Sequence, residues 1–95
     1  MNDVAARMAA LRRRFAASAV EQESSLRAAI HAEDRGKMIA LAHHLAGAAG
    51  IFGHPELGEM ARRLETSLDG GASAEAVRIE AADLLGALRR LGESA

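Results

Sequence analysis

The residues of this chain most able to do chemistry are two adjacent histidines, His43 and His44, in a segment rich in alanine and glycine. An unperturbed imidazole is largely neutral at physiological pH, so one ring nitrogen has a free lone pair. That nitrogen can ligate a metal, act as a base or attack an electrophile. The chain has no cysteine, which excludes disulfides, thiol nucleophiles and thiolate metal sites.

The spacing of apolar residues around the two histidines is helical. At about 100° of turn per residue, one side of this helix forms an apolar stripe. Its members are Met38, Leu41, Leu45, Ala49 and Phe52. His43 lies roughly 160° from the middle of the stripe, whereas His44 lies on its flank, about 100° away. The pattern predicts that His43 points to solvent.

The helix surface around His43 carries almost no side chains. Its neighbours on the helix surface, which are three, four or seven residues away in sequence, are Ala40, Ala46, Gly47 and Gly50. Each glycine inside a helix costs about 1 kcal/mol relative to alanine. Two of them beside one histidine indicate clearance for a partner that brings its own reactive group to the imidazole. The predicted partner-binding residues are Ala40, His44, Ala46, Gly47 and Gly50.

The sequence offers His43 little help with metal or hydrolytic chemistry. Adjacent histidines diverge by about 100° on a helix, and the positions one turn from His43 are Ile39 and Gly47, so we expect no metal site. No serine lies within a turn, and no carboxylate is placed to orient the ring. The remaining chemistry is nucleophilic attack on a phosphoryl group. The chain has no phosphate-binding loop, so positioning and metal must come from the partner.

The elements that must position His43 are helices. A first stripe runs through Val4, Met8, Leu11 and Phe15, and a second through Leu26 and Ile30. Between them, Ser18 and Glu21 have the spacing of a capping box. The first part of the chain is therefore either one long helix with a kink, or two helices of which the second begins at the capping box, which adds a short N-terminal helix to the bundle.

Capping and helix-terminating residues divide the remainder of the chain into three helices. Asp34 is a predicted N-cap, Gly53 a predicted end, Pro55 a predicted first residue, and Ser73 a second predicted N-cap. The predicted stripes after Pro55 are Leu57, Met60, Ala61, Leu64, Leu68, then Val77, Ala81, Leu84, Leu88 and Leu91. Short connections imply antiparallel neighbours. We predict one all-α domain over residues 1–95, an up-down antiparallel four-helix bundle.

The charge balance argues against anionic partners. Twelve basic and 13 acidic residues give a formal charge of −1, so nucleic acid or an anionic membrane surface is not expected. The run Arg12–Arg14 is interpreted as a solvated face. Neither an apolar leader nor a membrane span is visible, and Met1 suits a freestanding chain. We expect a cytoplasmic monomer, with His31 a surface residue and His54 a cap for the helix opened by Pro55.

The segment Ala42–Gly47, followed by Gly53, Leu57 and Leu64–Glu65, resembles the histidine-containing phosphotransfer (HPt) domains of bacterial multistep phosphorelays. The family pattern is a histidine, any residue, an apolar residue, usually lysine, and glycine. A second glycine and a leucine follow at set distances. The likeness covers nearly the whole chain, including Leu11, Phe15, Leu26 and the turn before Lys37.

The resemblance implies that His43 accepts a phosphoryl group. The donor would be a phospho-aspartyl receiver domain of a response regulator, or a histidine kinase, and a second receiver would take the group onward. The chain would be a phosphorelay carrier with no cofactor of its own and not a stand-alone enzyme. Mg²⁺ is expected on the partner receiver.

One position departs from the family pattern. Where many HPt domains have a lysine one turn after the histidine, this chain has Ala46. Either the phosphohistidine is less stabilised, or a basic residue elsewhere replaces the lysine. Lys37, Arg62 and Arg63 are the candidates by position.

Two other function classes compete with the carrier. A non-catalytic helical adaptor, or a degenerate HPt-like domain, would bind partners without phosphotransfer and would tolerate His43→Gln. The dimerisation segment of a histidine kinase fits less well, because such segments are two long helices paired with an ATP-binding domain.

Overall fold

The computed structural model describes residues 3–94, which form four helices. They are α1 (Asp3–His31), α2 (Arg35–Ile51), α3 (Pro55–Asp69) and α4 (Ala74–Ser94). Met1 lies outside the described residues. The all-α prediction is confirmed.

The predicted capping and terminating residues lie at the helix ends. Asp34 caps α2, with its carboxylate accepting a hydrogen bond from the backbone N–H of Lys37 at 3.0 Å. Gly53 has a φ of +85°, the left-handed conformation that ends the run of α2 without a Cβ penalty. Pro55 begins α3. The Ser73 hydroxyl accepts a hydrogen bond from the backbone N–H of Ala76 at 3.2 Å, so it caps α4 as predicted.

The first helix is continuous. The Ser18 hydroxyl donates a hydrogen bond to the carbonyl of Phe15 at 2.7 Å, inside α1, and does not start a new helix. The capping-box spacing is therefore incidental, and there is no additional short helix in residues 3–31.

The helices follow an up-down order. Each consecutive pair packs together, and α4 returns to α1, while the backbones of the diagonal pairs α1–α3 and α2–α4 stay apart throughout the described residues. This is the predicted antiparallel four-helix bundle. No helix of residues 3–94 has both the length and the apolar character needed to cross a membrane.

The core combines leucines with alanines. The largest fully buried side chains come from every helix: Leu26, Leu45, Leu64, Leu68, Leu84 and Leu88. Alanines fill the closer approaches: Ala19, Ala29, Ala42, Ala49, Ala61 and Ala81. Small buried side chains allow the helix axes to come near one another.

The first stripe was predicted too far toward the N-terminus. Val4 is 69% exposed and Leu11 is 38% exposed, whereas Phe15 is buried. The reason is that the early turns of α1 extend beyond the elements that could cover them. Arg12 lies beside Gly53, and Ala19 and Val20 lie beside Gly92, near the end of α4.

The stripe of α2 was also placed slightly off. Ala42 is fully buried, while Leu41 and Phe52 are only partly so. The buried centre of α2 is therefore Met38, Ala42, Leu45 and Ala49. This rotates the stripe toward His43 by roughly 30°.

Candidate functional site

The candidate site is the outer surface of α2 where it lies beside α3. His43 is in the third turn of α2, and its side chain is 77% exposed, as the helical spacing predicts. Its Nδ1 lies 2.7 Å from Oε2 of Glu65 on α3. The imidazole is thus held at one nitrogen while the rest of the ring faces solvent.

Glu65 is the residue that the sequence-based prediction missed as a partner of His43. We expected no carboxylate to orient the ring, because none lies one turn away on α2. The carboxylate comes instead from a different helix, and its side chain is only 21% exposed. An ionised carboxylate can only accept hydrogen bonds, so Nδ1 carries the proton and donates it. The lone pair of the neutral ring then lies on Nε2.

A close approach of α2 and α3 brings the two residues together. Gly58 of α3 is buried, and a Cβ built on it would lie 3.3 Å from the carbonyl oxygen of Ala46 and 3.5 Å from the backbone nitrogen of Gly50. At the far end of the pair, the Arg35 guanidinium donates to the carbonyl of Leu68. Between these two points the helices run antiparallel, and Glu65 lies opposite His43.

The predicted partner-binding residues lie on the surface around His43. Ala40, His44, Gly47 and Gly50 are exposed, and Ala46 is half-buried against α3. A Cβ built on Gly47 or Gly50 meets no atom within 4 Å. A side chain at either of these glycines would therefore enter open space among residues 3–94, whereas one at Gly58 would meet α2.

We expected His44 to lie on the flank of the buried stripe. In the structure it is exposed. With Ala42 at the buried centre, both histidines lie roughly 130° from that centre, on opposite sides. The angle alone does not separate them. What distinguishes His43 is the side of α2 on which α3 packs and the hydrogen bond it makes there.

The candidate basic residues occupy different faces. Arg62 lies one turn before Glu65 on α3, and its Nη1 is 2.7 Å from Oε2 of Glu59, with both side chains more than half exposed. Arg62 and Arg63 both line a groove with Ser67 of α3 and Glu80 of α4. Lys37 is in the first turn of α2.

The other two histidines do not join the site. His31 is in the last turn of α1. His54 is the N-cap residue of α3, as predicted, and its carbonyl accepts from the backbone N–H of Gly58, but its side chain makes no capping hydrogen bond. Its ring stacks on Phe15 instead, with centroids 5.8 Å apart and planes at 23°. The imidazole therefore packs against an aromatic ring of α1 and not against the end of α3.

The arrangement suits attack by an accessible nitrogen more than catalysis in an enclosed pocket. A shallow groove of about 720 Å³ lies at the end of the bundle, lined by Arg12, Phe52 and His54 among others, and not by His43. Within residues 3–94, no three His, Asp or Glu side chains cluster as metal ligands would. His43 instead lies exposed on the helix surface, with open space at Gly47 and Gly50 beside it.

Comparison with known proteins identifies one family. A family model described as the Hpt domain matches residues 10–93. No curated protein and no solved structure matches significantly.

Proposed function

Because this chain belongs to the Hpt domain family, we propose that it is a phosphorelay carrier that holds a phosphoryl group on His43. Hpt domains are phosphotransfer carriers and not stand-alone enzymes. The proposed donor is a phospho-aspartyl receiver domain or a histidine kinase, and the proposed acceptor is a second receiver domain. The proposed setting is the cytoplasm, with the carrier monomeric between encounters.

The observation that carries the proposal is the placement of the His43 ring. Its Nδ1 lies 2.7 Å from the Glu65 carboxylate and the side chain is 77% exposed. In the neutral ring Nδ1 therefore donates to the carboxylate and Nε2 bears the lone pair. A nucleophile in this state needs no base of its own to remove a proton before attack.

The transfer step follows from that protonation state. The Nε2 lone pair attacks the phosphorus of the partner's aspartyl phosphate in line with the P–O bond. The Nε2–P bond forms as the P–O bond breaks, and the aspartate carboxylate leaves with the electron pair. The Nδ1 proton stays in its hydrogen bond, and the negative charge of Glu65 compensates the positive charge gained by the ring. The reverse step delivers the group to the next receiver.

The surface beside His43 supports the approach of a whole protein domain. Gly47 and Gly50 leave open space one and two turns from the ring. A receiver can therefore bring its backbone and acidic loop close to the helix. Mg²⁺ held by the receiver would neutralise the phosphoryl oxygens during transfer, and this chain would contribute the nucleophile and its orientation.

Intact-mass spectrometry after mixing with a phosphorylated receiver tests the proposal. The variants are His43→Gln and the matched control His44→Gln, and mass is the readout because the chain has no Trp or Tyr. The carrier predicts an acid-labile phosphate on wild type and His44→Gln, absent from His43→Gln. Phosphate on none of the three across several receivers that still bind would overturn the proposal and favour the adaptor.

A further inference from the structure

A phosphoryl group on His43 creates an electrostatic problem on this surface. It brings roughly two negative charges to a ring whose own positive charge is already compensated by the Glu65 carboxylate, 2.7 Å from Nδ1. One turn further along α2, Ala46 and Gly47 supply no charge. A compensating cation must come from α3 or from a bound partner.

We propose that Arg62 is the residue that binds the phosphoryl group of phosphorylated His43, exchanging its ion pair with Glu59 for one with the phosphate. The inference rests on the proposed function. It assigns to Arg62 a role in holding the phosphorylated state, with no part in forming the Nε2–P bond.

The antiparallel register of α2 and α3 places Arg62 at the right level. Glu65 lies opposite His43, and Gly58 lies against Ala46 and Gly50. Arg62 falls between Glu65 and Gly58, so its backbone is level with the turn from His43 to Ala46. It is about 4.5 Å along the helix from Glu65 and about 60° further around toward solvent.

The space that Arg62 would cross is open. A Cβ at Gly47 or at Gly50 meets no atom of residues 3–94 within 4 Å, so no described side chain covers the surface beside His43 at these two positions. A long arginine side chain can extend over such a surface while keeping its guanidinium in water. The planar guanidinium also matches two phosphoryl oxygens at once.

Arg62 is held only loosely where it is. Its partner Glu59 is 51% exposed and Arg62 itself is 59% exposed, and exposed ion pairs of this kind contribute little to stability. Glu59, Arg62 and Glu65 follow one another at three-residue intervals, so the guanidinium has a carboxylate one turn away on either side. A doubly charged phosphoryl group on His43 lies on the Glu65 side of Arg62. It draws the guanidinium away from Glu59 and toward His43.

The other basic residues of α2 and α3 are less well placed to bind a phosphoryl group on His43. Arg35 donates to the carbonyl of Leu68. Lys37 lies roughly 120° around α2 from His43. Arg63 lies roughly 160° around α3 from Glu65, compared with about 60° for Arg62, although both arginines line the groove that contains Ser67 and Glu80. Arg63 is therefore a matched control for Arg62.

The test is a ³¹P NMR titration of the phosphorylated protein prepared with phosphoramidate. In that reaction Nε2 attacks the phosphorus and ammonia leaves with the electrons of the P–N bond, so no receiver is needed. A nearby cation lowers the second pKa of the phosphoryl group. We expect Arg62→Gln to raise this pKa by about 0.5 unit relative to wild type, Arg62→Lys to restore most of the difference, and Arg63→Gln to leave it unchanged. Glu59→Gln, which releases Arg62, should lower it.

The outcomes separate the two proposals. A phosphoryl pKa that is the same in wild type and Arg62→Gln would overturn the role of Arg62 and leave the carrier function standing. Equal shifts in Arg62→Gln and Arg63→Gln would also overturn it, because they would indicate a general charge effect. Failure of His43 to accept phosphate from phosphoramidate or any receiver would overturn the carrier, and the role of Arg62 with it.

Discussion

His43 and Glu65 are 22 residues apart in the chain, yet Nδ1 of the one lies 2.7 Å from Oε2 of the other. The contact joins two helices and determines which ring nitrogen bears the proton. The nucleophilic atom of the proposed carrier is therefore selected by tertiary packing, although both histidines of the pair are exposed on the same helix.

Removing the Glu65 carboxylate should slow phosphoryl acceptance. Glu65→Ala loses both the acceptor that fixes the tautomer and the charge opposite the ring, and a hydrogen bond of this type is worth about 1.5 kcal/mol or more. We expect acceptance from a phosphorylated receiver to fall about tenfold, and Glu65→Gln to fall less, because its amide oxygen still accepts. Rapid-quench kinetics measure the rate, and ¹⁵N NMR of the ring reports the tautomer.

The adjacent exposed residue Thr66 supplies the control, since Thr66→Ala leaves the His43 contact in place. An unaltered tautomer and rate in Glu65→Ala would show that the hydrogen bond has no part in transfer.

Gly47→Leu should block transfer without harming the fold. The new side chain enters open space at an exposed helix position, and leucine favours the helix over glycine by roughly 0.5–1 kcal/mol. The melting temperature should hold or rise, while transfer from a receiver falls sharply because the docking domain is excluded. Gly86→Leu on α4, where a Cβ meets only the flexible Arg90 side chain, is the control. Wild-type transfer by Gly47→Leu would refute the clearance role.

Ala46→Lys should lengthen the lifetime of the phosphorylated form. It adds a cation one turn from His43, at a half-buried position from which a lysine can reach solvent. The measurement is the loss of the phosphoryl mass with time after removal of the donor. If the lifetime stays the same or shortens, charge at this position does not stabilise phosphohistidine.

Gly58→Leu should destabilise the bundle, in contrast to Gly47→Leu. A Cβ at Gly58 is held between backbone atoms of Ala46 and Gly50, neither of which can move without separating the helices. We expect a loss of about 1–3 kcal/mol in the free energy of unfolding, seen as a melting temperature lower by on the order of 10 °C. Thermal unfolding followed by far-ultraviolet circular dichroism measures it. An unchanged melting temperature would mean that α2 and α3 are not closely packed at this point.

Much of the fold could be predicted because local chemistry fixes the helix ends. Asp34 and Ser73 accept backbone hydrogen bonds, Gly53 adopts a positive φ, and Pro55 begins a helix, each within a few residues of sequence. The apolar stripes of α3 and α4 also lie where their spacing places them.

The predictions that were wrong concern burial and contacts that depend on helices distant in the sequence. Val4 and Leu11 fit a helical stripe, but whether a stripe is covered depends on how far the neighbouring elements extend. Ala42 is too small to stand out in an apolar pattern, yet it takes the centre of the buried face. Glu65 could be assigned to His43 only through the register of α2 and α3, which is set by Gly58 and the small residues facing it.

The short α2–α3 connection has a consequence for how the chain folds. His43 and Glu65 lie on consecutive helices joined by residues 52–54, and α1 and α4 are the packed pair most distant in sequence. Contacts between nearby segments require little loop closure and form early. We expect the α2–α3 hairpin to be among the first parts of the molecule to assemble, so that the surface bearing His43 takes shape before α1 and α4 close the bundle.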